Sequence, residues 1–171
     1  MIAALVLAVA SLPLVAATAG AQELSRVERQ VRRELVTLPF YSVFDNMTFR
    51  VEGTKVTLMG KVTRPTLKTG AEKSIKDIEG VSEIDNQIEV LPVSSNDDRI
   101  RVATFRAIYY HPMMTRYAIQ AVPPIHIIVQ NGDVTLEGVV GSESEKNLAG
   151  IQASGVNGSF SITNNLQVER D

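Results

Sequence analysis

Apolar residues recur along this chain with two alternating periods. Leu24, Val27, Val31, Leu35 and Leu38 fall at three- and four-residue steps, a single stripe that predicts a first helix closed by Pro39. From Thr48 to Glu52 the period becomes two, with Phe49 and Val51 inward. Gly53-Thr54-Lys55 then turns the chain, and Val56, Leu58 and Gly60 continue the alternation as a hairpin. The helical period returns at Leu67, Ala71, Ile75 and Ile78, and Gly80 is placed to end that helix in a left-handed conformation. Ile84 to Val90 alternates again as a last strand. A strand–helix–strand crossover of this length predicts a parallel, right-handed connection beside the antiparallel hairpin.

The same order then repeats. Val56-Thr57-Leu58-Met59-Gly60-Lys61-Val62 is answered by Val134-Thr135-Leu136-Glu137-Gly138-Val139-Val140. At constant register Ala71 meets Ala149, Ile78 meets Val156, Gly80 meets Gly158 and Ile84 meets Ile162; Asn86 then meets Asn164, Ile88 meets Leu166 and Val90 meets Val168. Upstream, after a shift, Val27, Val31, Leu35 and Pro39 pair with Ile100, Thr104, Ile108 and Pro112, so the second copy is longer between its first helix and first strand. Leu91 to Asp98 reads as a polar linker in which Asp97 or Asp98 caps the helix that follows. The expected fold is α+β: two modules, each a three-stranded mixed sheet packed on two helices. The expected division is a leader at 1–21, a first module at 22–92, a linker at 93–98 and a second module at 99–171.

Composition narrows the setting. Met1 to Ala21 carries no charge, Pro13 interrupts its apolar stretch, and Ala19-Gly20-Ala21 offers the small residues that signal peptidase accepts. The expectation is an exported, periplasmic protein cleaved after Ala21; no basic residue precedes Arg26, and the rival reading is an uncleaved anchor. Cleavage leaves about 150 residues, enough for two small domains. The chain has no cysteine, which excludes disulfides, thiolate metal sites, a Cys nucleophile and a lipidated N-terminus. Net charge is −2, and the basic residues are interspersed with acids. A nucleic-acid partner would need a basic stripe, so none is expected.

The pattern V-x-L-x-G-x-V, a helix with a central Ala, then G-V-x-x-V-x-N-x-I/L-x-V resembles the BON domain of osmotically inducible, OsmY-like periplasmic proteins. Val56, Leu58, Gly60, Val62, Ala71, Gly80, Val81, Ile84, Asn86, Ile88 and Val90 carry it in the first copy. Val134, Leu136, Gly138, Val140, Ala149, Gly158, Ile162, Asn164, Leu166 and Val168 carry it in the second, where Ser159 departs from the pattern and Gly150 and Gly155 weaken the second helix. The resemblance implies a non-enzymatic module associated with envelope integrity, phospholipid or membrane-surface interaction, and osmotic stress.

Candidate chemistry is sparse. Gly60 and Gly138 read as positions of close backbone approach rather than phosphate cradles, since no second glycine or helix start follows at the required spacing. Asn86 and Asn164 read as side chains bonded to nearby backbone. The two histidines, His111 and His126, have no carboxylate company at ligand spacing. No catalytic set, metal site or cofactor site is expected.

What differs between the copies is more informative. Arg29 and Arg32 of the first helix should face water, whereas the second copy has Val102 and Phe105 there, then Tyr109 at helical spacing. Tyr110, Met113, Met114 and Tyr117 follow, with Arg106 and Arg116 among them. An extra apolar face has to be covered by something. Val102, Phe105, Arg106, Tyr109, Tyr110, Met113, Met114, Arg116 and Tyr117 are therefore the candidate surface for a phospholipid membrane or an envelope protein. The alternative is a protein-interaction or chaperone-like scaffold in which the same stripe is an interdomain or partner interface. Oligomeric state is left open.

Overall fold

The computed structural model describes residues 26–120 and 122–169; the expected leader, 1–21, lies outside them. In chain order the elements are α1 (26–36), β1 (Asn46–Glu52), β2 (Lys55–Val62), α2 (Pro65–Ile75), β3 (Glu83–Asn86) and β4 (Glu89–Val90). There follow α3 (Ser95–Tyr109), the short α4 (Thr115–Ala118), β5 (Ile125–Gln130), β6 (Asp133–Val140), α5 (Glu143–Ser154), β7 (Ser161–Asn164) and β8 (Gln167–Val168). This is the expected α+β repeat. In each copy the second strand is central, antiparallel to the first and parallel to the strand after the crossover.

The third strand of each sheet is broken in two, and the asparagine at the break explains why. Asn86 accepts from the amide of Ile88 at 3.3 Å through Oδ1 and donates through Nδ2 to the Lys68 carbonyl of α2 at 2.9 Å. Asn164 does the same with Leu166 (3.2 Å) and Lys146 of α5 (2.8 Å). The side chain takes the place of a ladder bond, re-aims the strand, and sinks Ile88 and Leu166 into the two cores. Gly60 and Gly138, with φ of 115° and 119°, sit where a Cβ would lie 2.1 Å from the Asn46 carbonyl oxygen and 1.9 Å from that of Pro124. Only glycine fits there.

One core packs Val27, Val31 and Leu35 of α1 and Leu67, Ala71 and Ile75 of α2 on Val56, Leu58 and Val62. The other packs Ile100, Ile108, Ala149 and Ala153 on Ile127, Val129, Val134 and Leu136. Val43 belongs to this second core, although it precedes β1 of the first module. The segment 41–45 crosses to the second module and closes a seam. Ile127 N donates to the Val43 carbonyl at 2.8 Å, Phe44 meets Phe105 edge-on at 6.2 Å, and the Tyr41 ring lies 5.7 Å from His126. Gln130 completes the seam, accepting from Lys61 Nζ and donating to Glu89 at 2.8 Å.

The linker expectation needs one correction. Helix α3 begins at Ser95, inside the stretch read as 93–98, and its cap is Ser94, whose hydroxyl accepts from the Asp97 amide. Asp97 is instead buried and grips the β5–β6 turn, accepting from the amides of Asn131 (3.0 Å) and Gly132 (2.9 Å). A turn that presents two amides to one carboxylate binds it more strongly than a single helix amide does. The linker shrinks to a few residues and the modules are held together by the seam.

Candidate functional site: an apolar ridge on the second module

Helix α3 is long enough to present two faces. Ile100, Thr104 and Ile108 fill the core, as their spacing predicts. The second stripe divides. Tyr109 is fully buried: its hydroxyl donates to the Ile125 carbonyl at 2.6 Å and accepts from the Ile125 amide at 2.9 Å, tying the end of α3 to the start of β5. Burial pushes its phenol well above the usual tyrosine range, a shift the bond to Ile125 only partly opposes. Met114 is fully buried and Tyr117 nearly so. These three candidates are core residues. Sequence spacing did not reveal this, because their cover comes from the loop that returns to β5.

Phe105 is half-buried, its ring 4.8 Å from Tyr109 and covered on the other side by Phe44 of the seam. The base of the stripe is thus an inter-module contact. Above it, Val102 is 41 % exposed and Arg106 is exposed on α3, and Tyr110 (70 %) and Met113 (56 %) follow in the turn beyond the helix. Ile119, which sequence reasoning did not single out, adds a further side chain 86 % exposed; it follows Tyr117 and lies beyond any helical stripe. The Met113 amide donates to His111 Nδ1 at 3.3 Å, which orders the turn after α3.

A polar network supports this turn from below. The Tyr117 hydroxyl accepts from Arg116 at 2.7 Å and from the Gly141 amide at 2.8 Å, and donates to Glu145 at 2.9 Å. Arg116 also pairs with Glu145 at 2.6 Å. Burial raises the Glu145 carboxyl, but the Tyr117 hydrogen bond, the Arg116 charge and the Ser142 cap outweigh it and hold Glu145 below its ordinary value. Arg116 is half-committed to this network, with its side chain 58 % exposed.

Among the described residues no group of three His, Asp or Glu is placed to hold a metal ion, and no helix is long and apolar enough to cross a membrane. His126 lies in the seam and His111 at the end of α3, far apart in role.

The sequence profile of the BON domain matches residues 23–92 and again residues 116–170. The chain belongs to the BON domain family. The second match begins beyond α3, so the helix carrying the ridge lies outside the part of this BON module that follows the family pattern. A search of curated proteins found none that matches. Two solved structures of CdsD, a structural protein of the type III secretion system of Chlamydia trachomatis, are similar to the chain at 9 % identity. The C-terminal domain covers 83 % of this chain and 96 % of its own, with a TM-score of 0.29; the second structure covers 85 % and 94 %, with a TM-score of 0.33.

Proposed function

We propose that this tandem BON protein is an exported, non-enzymatic envelope protein whose second module docks on anionic phospholipid and supports the envelope under osmotic stress. The observation that carries the reading is the exposure of Tyr110 and Met113, in the turn that ends α3, together with Arg106 in the last turn of that helix. Aromatic and methionine side chains gain by leaving water for the headgroup boundary, and a neighbouring arginine attracts anionic lipid. The ridge follows α3, where the two copies differ most: the first module has Arg29 and Arg32 in place of Val102 and Phe105. The second reading, a protein-interaction scaffold, is favoured at the base of the stripe, where Phe105 meets Phe44.

Co-sedimentation with vesicles tests the proposal. The protein is expected to bind phosphatidylglycerol–phosphatidylcholine vesicles at low salt and to bind pure phosphatidylcholine weakly. Replacing Tyr110 and Met113 together by Ser leaves the core untouched and should weaken binding by roughly tenfold or more. Equal retention of the parent and the double variant, or no binding to the anionic vesicles, would sink the lipid reading.

A further inference from the structure

In the second module the groove between α3 and β5 is filled by a strap from the first. Residues 41–45 lie along it: Val43 is buried in the second core and accepts from Ile127 N, Phe44 meets Phe105 edge-on, and the Tyr41 ring lies tilted against His126. The repeat places the same groove in the first module between α1 and β1. There Arg32, Val36, Met47 and Phe49 stand where Phe105, Tyr109, Ile125 and Ile127 stand in the second. Among the described residues nothing fills it. It is an open groove of about 380 Å³ lined by Arg32, Val36, Met47 and Phe49, among others. No residue of β1 is fully buried, whereas β5 is buried along most of its length. Val36 is 47 % exposed in it.

The same register identifies a second strap. Ile119 takes the place of Tyr41 and Val122 that of Phe44, on the segment that leads into β5. Ile119 is 86 % exposed. Among the described residues, then, one strap-and-groove pair is closed within the chain, the groove of the first module is unfilled, and Ile119 stands exposed on the second.

We propose that the strap of one copy docks in the α1–β1 groove of another, joining chains head to tail through a repetition of the internal seam. Continuity with that seam sets the register. By correspondence with Lys61, Gln130 and Glu89, Glu52 of the groove-bearing copy faces Val139 and Gln167 of the strap-bearing copy. The Gln167 amide donates to Glu52, but the lysine of the internal seam has no counterpart, so the contact between chains is weaker than the one within. It is also heterologous, and so extends into open chains or rings rather than stopping at a symmetric dimer.

Sedimentation velocity on the lipid-free protein tests this with two complementary variants. Val36→Glu blocks the groove and keeps the strap; Ile119→Glu blocks the strap and keeps the groove. The parent is expected to grow in mass with concentration beyond a dimer. Each variant alone should stay monomeric, and an equal mixture should form a one-to-one heterodimer and nothing larger. Both side chains are exposed, so unchanged thermal unfolding is expected; Val36→Ser and Ile119→Ser serve if a charge disturbs either fold. A monomeric parent, as when the chain's own first residues fill the groove, overturns the proposal. So does a mixture that stays monomeric, or association that survives both substitutions, as a symmetric contact through Tyr110 and Met113 would.

Discussion

Asp45 is held through both oxygens of its carboxylate. It is fully buried, and its carboxylate accepts from the amide and hydroxyl of Ser42 (3.0 and 2.8 Å) and of Thr63 (2.7 and 2.8 Å). These four bonds satisfy the charge and fix the strap at its root, between the seam and the end of β2. Asp45→Ala strands the donors in a dry site, and we expect a loss of about 3 kcal/mol in urea unfolding. A loss near zero would mean that water takes over those donors. His126, on the other side of the strap, gives a pH signature. Burial, with the ring Nδ1 left without a hydrogen-bond partner, lowers its pKa from 6.5, against the nearby Asp45 and Ser42 backbone and the charges of Asp45 and Glu137. The folded protein keeps the ring neutral while the unfolded chain takes up a proton near 6.5, so the unfolded state binds more protons as the pH falls through that value. Stability is full above it, declines as the solution is acidified toward the depressed folded value, and levels off below. The drop in urea midpoint between about pH 7.5 and about pH 5.5 should therefore shrink in His126→Gln. An identical drop in both proteins would remove His126 from the account.

The elements themselves were largely legible as patterns. Constant register from Val56 to Val168 revealed the repeat, and the three- and four-residue steps of Val27, Val31 and Leu35 revealed the core face of α1, because both signals depend on local geometry. The breaks in the third strands were half legible. Asn86 and Asn164 read as backbone-bonding residues, but nothing in the sequence says that each reaches a helix carbonyl across the crossover. Asn164→Ala is expected to cost roughly 1–2 kcal/mol, with faster amide exchange confined at first to β7, β8 and the start of α5. Uniform acceleration across the module would instead make the asparagine part of the global core. The second stripe of α3 was legible as apolar and illegible as to cover. Spacing aligned Tyr109 with Phe105, but the bond from Tyr109 to the Ile125 backbone and the arrival of Phe44 from the other module are long-range events. Val102 and Arg106 on the helix, and Tyr110 and Met113 just beyond its end, stay at the surface.

At the scale of the molecule, duplication has produced two modules with different work. The first contributes a strap that completes the core of the second, and in doing so holds α3 from beneath through Phe44. The second presents the ridge on that supported helix. Among the described residues one backbone bond, two ring contacts and a Lys61–Gln130–Glu89 relay couple them, so the ridge sits on a helix that the first module buttresses. Because the chain contains no tryptophan, one introduced indole reports on its own position without background. Tyr110→Trp places it on the ridge, and Phe160→Trp places it on an exposed site of the same module at the opposite end of α3, beside the turn that Asp97 grips, where Phe160 is 81 % exposed. With phosphatidylglycerol–phosphatidylcholine vesicles, a blue-shifted emission at position 110 that is quenched by brominated lipid, beside an unchanged spectrum at position 160, is the predicted result. Equal spectra at the two positions in the presence of the vesicles would contradict membrane docking through the second module's ridge.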